Sequence, residues 1–579
     1  LVPLVLIFCR SLLAFPIILS AALTLVELPD LRKRVFGSKS RKQLPCLKVP
    51  VLIRLASLWA SQVWWFILMR SGDITTAPEA VSPSNPEGAG GDGQEDENIL
   101  RTISVVLPCA GEGEYAFKTV RSVFETTPAD VLKEIIVVDD GSEPPLGDSV
   151  LQEEIREKYR VKLLRHAQTV GLIGAKKDGG DAASGDVIVF FDCHVAPQKG
   201  WYVSFLQLIN DNRRRIVVPM ITDLDVSTWR QRTFSHGVAK CYLTWDADFK
   251  WYNSDDPYVP VLSGGLLGIS QQWWRESGGY DEQMRSWGGE NLDQSLRTWL
   301  CGGEIVIAKE SQVAHMWRRP NDKRTVAHYK VDGRAAARNR LRAAVAWYGD
   351  FAEKLTQFPA LMADHKDADG NPWFGDISNI LSVKERLQCR SFAWFMRRFT
   401  DVYVFGGLVP EETFQLRVAG GTKCIAYKGN AGTSSTGRGT AVLEDCNPDD
   451  DRQRWHGANR DQSKEGAHCC SGLRAWNTDQ CLTKPTNGHV LTYVCDISGK
   501  TSDQAWELTK DGQLVIKSGG FLQASCLEGV GNGTAVKAAK CRSNGPPAWV
   551  KGDAAPPVEF TLYQKLLREE NDRDEEGLE

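Results

Sequence analysis

The sequence has no excess of charge of either sign. Its 579 residues carry 69 Lys and Arg against 73 Asp and Glu, for a net charge of −4. This balance gives no bulk electrostatic reason to bind nucleic acid, so we expect no nucleic-acid partner. A basic tract between Arg32 and Lys42 is local. Apolar residues make up 42% and charged residues 25%, which excludes a mainly disordered chain, and the length favours two to four domains.

Cysteine is too scarce for a small scaffold held together by disulfides, and its distribution is uneven. Of the 15 cysteines, eight lie between residues 424 and 541. That local density indicates disulfides formed in an oxidising compartment, at least for the C-terminal third. No Ser-His-Asp or Cys-His arrangement stands out, so the sequence gives no sign of nucleophilic catalysis by such a group.

Two apolar stretches, residues 1–28 and 51–69, precede any globular pattern. Each is long enough for a tilted membrane span, and the basic tract between them marks a cytosolic side. An alternative is that 1–28 is a cleaved leader and 51–69 the only anchor. We therefore interpret residues 1–70 as a membrane-anchor region with one or two transmembrane helices. Residues 71–100, rich in Pro, Gly, Ser and acids, predict a flexible stem, and everything after it is expected in the lumen.

The first globular pattern is a strand, a helix and a second strand. ISVVLP at 103–108 is followed by a helical stretch and by EIIVVDDGS at 134–142. This order predicts a parallel α/β sheet, in which ligands bind beyond the carboxyl ends of the strands. Asp139 and Asp140 are then placed to hold a ribose or base, although acidic turns after strands are also common without any ligand.

A third buried strand, VIVFF, ends in Asp192-Cys193-His194. Side chains at i and i+2 of a strand point to the same face, so Asp192 and His194 can converge on one ion. One carboxylate oxygen and one imidazole nitrogen suit Mn²⁺. Cys193 is interpreted as a small filler and not as a ligand.

The succession SVVLP, VVDDGS, GLI, FFDCH, SGGLLGI, WGGENLDQSLRTWLCGG and AHMWR resembles the polypeptide N-acetylgalactosaminyltransferases over residues 101–398. These are luminal, metal-dependent enzymes of the GT-A fold that begin mucin-type O-glycosylation. The resemblance implies retaining transfer of GalNAc from UDP-GalNAc to Ser or Thr hydroxyls of polypeptides, with Mn²⁺ as cofactor, by a protein of the Golgi membrane.

The resemblance also implies roles for individual residues. Asp192, His194 and His315 match the metal ligands, and Arg318 matches an arginine that faces the diphosphate. Asp140 and Glu112 match groups on the nucleotide side, and Gly264 and Gly265 match the pair that lets the sugar approach the backbone. Trp287, Glu290 and Asn291 match the WGGEN residues at the sugar and diphosphate site. Cys301 and Cys389 occupy positions that the family joins by a disulfide.

Three departures from the family pattern fall on the donor side. The family has His-Asn-Glu where this chain has Ala110-Gly111-Glu112, and Thr169 and Gly174 each stand where the family has Arg. Each missing contact could cost about 1–3 kcal/mol of donor binding. Two other functions therefore stay open: a membrane-anchored, acceptor-binding lectin that no longer catalyses transfer, and a transferase that uses another UDP-sugar.

An internal repeat follows an expected linker at 399–410. Cys424-Ile425, Cys481-Leu482 and Cys526-Leu527 are each followed by a second cysteine and by a Trp, with Gln-x-Trp at Trp455 and Trp506 and a degenerate version at Trp549. The repeats resemble the ricin-B-type β-trefoil over residues 411–555. That resemblance implies the disulfides Cys424–Cys446, Cys481–Cys495 and Cys526–Cys541, and leaves the pairing of Cys469 and Cys470 open.

Sugar binding by this trefoil uses an acid that follows the first cysteine of a repeat. Ala426 and Thr483 lack it, so only Glu528 in the third repeat is a candidate. A role as scaffold or in orienting substrate competes with sugar binding. The last segment, 556–579, is expected to be a solvated acidic tail without a dedicated role.

Overall fold

The computed structural model describes residues 99–575, apart from gaps at 233–239, 327–329, 359–360, 362–369, 371, 430–438, 458–471, 485–489, 498–501, 517–523, 530–535 and 542–548. The two apolar N-terminal stretches, the basic tract and almost all of the stem lie outside the described residues, as do Cys469 and Cys470. Within the part of the chain that is described, no helix has both the length and the apolar character needed to cross a membrane.

One mixed sheet organises the α/β domain. Its strands are β1 (Ile103–Cys109), β2 (Leu132–Asp140), β3 (Val161–His166), β4 (Val187–Phe190), β5 (Val195–Pro197), β6 (Arg215–Asp225), β7 (Arg230–Gln231), β10 (Leu267–Ser270) and β11 (Glu304–His315), while β8 (Cys241–Leu243) and β9 (Phe249–Trp251) form a separate hairpin. The order is β3-β2-β1-β4-β10-β6-β11-β5, with β7 on β6. Strands β1 to β4 are parallel, β10 is antiparallel to both neighbours, and β11 runs parallel to β6.

Some helices lie between the strands of this sheet in sequence, and others follow its last strand, β11. They are α1 (Glu114–Thr126), α2 (Glu153–Lys158), α3 (Leu172–Asp181), α4 (Trp201–Asp211), α5 (Gln271–Ser277), α6 (Glu290–Leu300), α7 (Gly333–Trp347), α8 (Ser378–Arg386), α9 (Phe392–Arg398) and α10 (Thr400–Tyr403), with a 3-10 helix at Gly349–Gln357. Their placement explains the continuous apolar runs of the central strands. Val105 and Val106, neighbours in β1, belong to two different buried clusters, so both faces of the strand are covered.

The small residues of α3 allow it to pack closely on the sheet. A Cβ on Gly179 would lie 2.4 Å from a methyl group of Val106, and one on Gly180 would lie 2.5 Å from the ring of Trp274. Because α3 lies so close to the strands, its inner face reaches the region where β1 and β2 end.

The C-terminal domain consists of twelve described strands in three sets of four. They are β12 (Thr413–Val418), β13 (Lys423–Lys428), β14 (Gly439–Asp445), β15 (Arg454–Gly457), β16 (Leu473–Ala475), β17 (Gln480–Thr483), β18 (Leu491–Val494), β19 (Trp506–Leu508), β20 (Leu514–Ile516), β21 (Ser525–Gly529), β22 (Val536–Lys540) and β23 (Trp549–Ala555). In each set the middle two strands pair. The fourth strand pairs with the first strand of the next set, and β23 closes the cycle on β12.

The Gln-x-Trp motifs occupy equivalent environments, which confirms the trefoil prediction. The Gln453 side chain donates to Asp445 O (2.8 Å) and accepts from Asn447 N (3.0 Å), on either side of Cys446. Gln504 makes the same pair of hydrogen bonds around Cys495, with Val494 O and Asp496 N, both at 2.9 Å. Trp455, Trp506 and Trp549 are all buried in one core.

The four disulfides implied by the resemblances are present: Cys301–Cys389, Cys424–Cys446, Cys481–Cys495 and Cys526–Cys541. The described residues also contain a fifth disulfide, Cys109–Cys193, so the interpretation of Cys193 as a filler is wrong. The reason is the strand order: β1 and β4 are neighbours, which brings together two cysteines 84 positions apart.

The join between the domains and the C-terminal segment are both packed. In the expected linker, Val402, Tyr403, Leu408 and Val409 are buried. The interpretation of 556–579 as a solvated tail is wrong for its first part, because Val558–Glu575 forms a helix, α11, in which Glu559 and Tyr563 are buried. Glu559 pairs with the buried Lys354 of the 3-10 helix, a contact that composition alone does not reveal.

Candidate active site

A single cavity of about 870 Å³ lies where β1, β2 and β4 end. The residues that the family resemblance assigned to the α/β site all line it: Glu112, Asp140, Asp192, His194, Gly264, Gly265, Trp287, Glu290, Asn291, His315 and Arg318. Asp139 is not among the lining residues, because its buried carboxylate accepts from Ser142 N and Leu146 N instead. The cavity-lining residues come from distant parts of the chain, and the sheet brings them together because each lies at or near an end of a strand or the start of a helix beside one.

The predicted metal ligands converge at one side of the cavity. Asp192, His194 and His315 offer ligand atoms that lie within 4.8 Å of one another. His315 is the last residue of β11 and pairs with Val195 of β5, directly after His194. Its Nε2 lies 3.0 Å from Asp192 Oδ2. The pairing of β11 with β5 therefore places His315 beside Asp192 and His194.

The ionisation of this cluster suits a divalent cation. Burial alone raises the pKa of the Asp192 carboxyl, but the hydrogen bond with His315 and nearby positive charges outweigh it and hold that pKa well below its usual value. Burial lowers the pKa of His315, against the opposing effect of Asp192, so its neutral imidazole is favoured. An ionised Asp192 carboxylate and a neutral His315 imidazole are the forms in which these groups bind a metal ion.

The surroundings also fit a metal ion. A Cβ on Gly265 would lie 2.6 Å from Asp192 Oδ2, so only glycine leaves this ligand its position. One carboxylate oxygen and two imidazole nitrogens form a borderline-hard ligand set that can bind Mn²⁺, and three protein ligands leave coordination positions for phosphate oxygens.

Arg318 lies three positions after the third predicted ligand, on the side of the cavity that the resemblance assigns to the diphosphate. Its Nη2 donates to Glu112 Oε1 and lies 3.3 Å from His194 Nδ1. His194 Nδ1 in turn lies 3.3 Å from the same Glu112 oxygen. Glu112 thus contacts both the guanidinium and a predicted metal ligand, and it lines the same cavity.

The side of the cavity that the resemblance assigns to the sugar is built from the start of α6 and the 263–265 segment. Asn291 Nδ2 donates to Leu262 O (2.9 Å) and so anchors the segment that carries Gly264 and Gly265. The backbone of Gly264 has φ +94°, and a Cβ there would lie 3.2 Å from Asn291 Cβ. Glu290 is buried, and its Oε2 has no partner within the described part of the chain, so it can accept a hydrogen bond from a ligand.

Lys176 is a site residue that the sequence analysis missed. Its side chain is 1% exposed, and its Nζ donates to Gly264 O at 2.7 Å and lies 3.5 Å from Glu290 Oε1. The signal that could have found it is helical spacing, because Ile173, Lys176 and Gly180 share the buried face of α3. A lysine on such a face requires buried partners.

Asp140 lies in the cavity wall, but its oxygens are already occupied. They accept from Thr169 Oγ1 (2.6 Å), Val170 N (2.8 Å) and Gly171 N (3.0 Å), and His166 Nδ1 lies 2.8 Å away. Asp140 therefore fixes the segment before α3, and Thr169, which stands where the family has Arg, is part of that arrangement.

The other departures differ in position. Ala110 and Gly111 line the cavity without a polar side-chain group, whereas Gly174 is not among its lining residues. Trp287 stands at the mouth and is 40% exposed, beside the similarly exposed Val170, Trp251 and Val331. Exposed apolar side chains are thus present at the rim of the cavity, and the buried groups at its floor include charged ones.

A GT-A sheet with a D-x-H metal cluster defines a nucleotide-sugar glycosyltransferase, and the comparisons agree. Residues 104–277 match glycosyl transferase family 2, and residues 251–319 match the family described as N-terminal domain of galactosyltransferase. The chain is 31% identical over 451 residues to polypeptide N-acetylgalactosaminyltransferase 6 of Bos taurus, which covers 74% of this chain and 68% of the relative. The Homo sapiens protein of the same name is 29% identical with the same coverage.

A solved structure, GalNAc-T7 with UDP, GalNAc and Mn²⁺, is similar with a TM-score of 0.50 and 25% identity, over 78% of this chain and 82% of that one. The chain belongs to the polypeptide N-acetylgalactosaminyltransferase family.

Proposed function

We propose that this chain transfers GalNAc from UDP-GalNAc to Ser or Thr hydroxyls of polypeptides, with retention of anomeric configuration and with Mn²⁺ as cofactor. The observation that carries the proposal is the convergence of Asp192, His194 and His315 in one cavity with Arg318 and Glu290. Family membership supports it, and GalNAc-T7 was crystallised with UDP, GalNAc and Mn²⁺.

The residues divide the work of holding the donor. Asp192, His194 and His315 would hold Mn²⁺, which supplies positive charge to the diphosphate as UDP departs. Arg318, fixed by Glu112, adds a preorganised charge beside the same diphosphate. The family resemblance assigns Gly264 and Gly265 to the approach of the sugar to the backbone. Glu290 Oε2, which has no partner among the described residues, would accept a hydrogen bond from that sugar. Lys176 holds Glu290 and the Gly264 carbonyl in place.

The test is transfer by the purified full chain with UDP-GalNAc, Mn²⁺ and a mucin-like peptide. His194→Ala should lower the rate at least about 100-fold, because losing a metal ligand raises the barrier to UDP departure by several kcal/mol. A His194→Ala variant that keeps most of its activity would refute the metal-assisted reaction.

Glu528→Ala is a matched control in the other domain. Glu528 lies in β21, opposite Lys537 of β22, and we propose it as a weak sugar-binding residue of the third trefoil repeat. A sugar bound there would belong to an acceptor that is already glycosylated, and would act by raising local acceptor concentration. The variant should therefore transfer normally to a naked peptide and more slowly to a glycopeptide. A variant that matches the unmodified chain on the glycopeptide as well as on the naked peptide would contradict the sugar-binding role.

One observation favours a second function, an acceptor-binding lectin without catalysis. The nucleotide side lacks polar side chains at Ala110 and Gly111, and the Asp140 carboxylate is filled by protein donors. Titration with UDP separates the two functions, since a chain that has lost catalysis through donor-site decay should not bind UDP. Parallel transfer assays with UDP-GlcNAc and UDP-Gal test the remaining alternative, a transferase that uses another UDP-sugar as donor.

We also propose that the chain is anchored in the Golgi membrane with both domains in the lumen. Five disulfides among the described residues support an oxidising compartment, and the apolar stretches 1–28 and 51–69 support an anchor. In sealed Golgi vesicles, the domains should resist added protease until detergent is present. Digestion without detergent would contradict this orientation.

A further inference from the structure

The Cys109–Cys193 disulfide lies within the candidate active site. Cys193 stands between the ligands Asp192 and His194, and Cys109 is the last residue of β1. The two side chains are 1% and 0% exposed, and both residues line the cavity. A crosslink at this place can act on the metal ligands as well as on the stability of the fold.

The disulfide begins where the strand ladder stops. β1 and β4 pair in parallel up to Val106 and Phe190, and a last backbone hydrogen bond joins Phe191 N to Val106 O (3.1 Å). Three residues after this last pair, Val106 and Phe190, come Cys109 and Cys193, which form the disulfide. The disulfide thus joins the two segments at the next equivalent positions, after the strand hydrogen bonds have ended.

Beyond that point the ligand segment changes neighbours. Val195 and the rest of β5 pair with β11 instead of β1, and Met316 N donates to His194 O (3.2 Å). Residues 191–194 therefore cross from one strand to another. Cys109 remains in the sheet, since it is paired with Asp139 of β2, so the disulfide ties the crossing segment to a rigid strand.

The same bond closes a short ring of contacts. From Cys109 the chain runs through Ala110 and Gly111 to Glu112, whose carboxylate lies 3.3 Å from His194 Nδ1. His194 is bonded to Cys193, and the disulfide returns to Cys109. The residue that positions Arg318 and the residues that bind the metal are held in one closed loop.

We propose that the Cys109–Cys193 disulfide is a positioning crosslink that holds Asp192 and His194 in their ligand arrangement before the metal binds. Such preorganisation strengthens binding because fewer conformations are lost when the ion arrives. The proposal rests on the proposed metal-dependent function, but it concerns metal affinity and not sugar transfer.

The chain offers a matched control. Cys301–Cys389 spans 88 positions, against 84 for Cys109–Cys193, so removing either crosslink frees a similar length of unfolded chain. Neither Cys301 nor Cys389 is among the residues that line the cavity. The full-length variants C109A/C193A and C301A/C389A are therefore compared for thermal unfolding and for Mn²⁺ affinity, measured by electron paramagnetic resonance without donor or acceptor.

We expect C109A/C193A to weaken Mn²⁺ binding at least about tenfold, while C301A/C389A binds it within about twofold of the unmodified chain. Both variants should unfold at lower temperature. An unchanged Mn²⁺ affinity in C109A/C193A, or an equal loss in both variants, would overturn the proposal. Because sugar transfer plays no part in this measurement, a chain that binds Mn²⁺ but transfers no sugar refutes the proposed reaction alone.

A second measurement uses the unmodified chain, in case C109A/C193A does not fold. Hydrogen exchange of the amides of residues 191–195 should be slow before Mn²⁺ is added and should change little afterwards. Fast exchange that becomes slow only with Mn²⁺ would show that the ion, and not the disulfide, orders the segment, and would overturn the proposal.

Discussion

The buried pair Lys354–Glu559 joins the C-terminal helix to both domains. Lys354 Nζ donates to Glu559 Oε2 at 2.8 Å and to Asn477 Oδ1 of the trefoil at 2.5 Å. The other Glu559 oxygen accepts from Trp476 Nε1 at 2.9 Å. Both charged side chains are essentially unexposed, at 0% and 1%. Breaking this pair should therefore affect stability far more than a surface ion pair would.

Three variants measure the effect: Glu559→Leu, Lys354→Met and the two combined. Each single change leaves one buried charge without its partner, which costs about 3–5 kcal/mol of the free energy of unfolding. The combined change removes both charges and leaves apolar side chains of similar size, so we expect it to cost less than either single change. Lys565→Ala, which removes an exposed ion pair with Glu569 on the same helix, should cost about 0.5 kcal/mol or less.

The pH dependence gives the prediction a second test. Burial lowers the pKa of Lys354, and Glu559 partly offsets that effect. Without Glu559 this pKa should fall further, so the folded state loses the proton before the unfolded state does. Stability then rises with pH across the interval between the folded and unfolded pKa values. The deficit of Glu559→Leu should accordingly be largest at neutral pH and shrink towards about pH 10.

Urea denaturation of the full chain, followed by circular dichroism, provides the free energies for this double-mutant cycle. Hydrogen exchange of the α11 amides locates the loss, because the helix should open more readily in the single variants. Single variants within about 1 kcal/mol of the unmodified chain, or a combined variant that is the sum of the two, would refute the reasoning.

Three further predictions concern the cavity. Gly265→Ala should weaken Mn²⁺ binding and transfer at least about tenfold, because its Cβ would lie 2.6 Å from Asp192 Oδ2; unchanged Mn²⁺ titration would contradict this. Lys176→Met should lower the transfer rate about 100-fold, and Lys176→Arg should recover part of that rate. The neighbouring Lys177 pairs with Asp181 instead, so Lys177→Met should transfer at close to the unmodified rate. Ala110→His combined with Gly111→Asn should tighten UDP binding about tenfold by calorimetry, since Gly111 has φ +69°, which Asn tolerates; unchanged affinity would show that these positions do not face the nucleotide.

The parts of the structure that could be predicted are those with local signals. Asp192 and His194 lie two residues apart at the end of an apolar strand, so their shared face follows from strand geometry. The trefoil repeats its own motif three times, and its short-range disulfides lie within single repeats. His315 has no such signal of its own, and only the resemblance of its motif to the family pointed to it.

The parts that were missed depend on which elements become neighbours. Cys109 and Cys193 form a disulfide because β1 lies beside β4, and the sequence of neither strand predicts that pairing. Lys176 was overlooked because its partners, Gly264 and Glu290, come from a distant loop and helix. Glu559 lies in an acidic, apparently solvated segment, and its burial follows only from the position of Lys354. Each of these contacts depends on which distant segments become neighbours in the fold, and amino-acid composition does not indicate that.

The polar groups of the cavity are concentrated at its metal and sugar end. Asp192, His194 and His315 converge there, and Glu290 keeps one buried oxygen for a ligand. At the nucleotide end, Asp140 is occupied by protein donors. A contact that is equally strong in the bound donor and in the transition state affects KM and not kcat, whereas charge that acts only as UDP departs affects kcat. On the roles proposed above, the departures at Ala110 and Gly111 belong to the first kind and the metal ligands to the second. The rate at saturating donor is therefore the quantity that distinguishes a weakly binding enzyme from an inactive one.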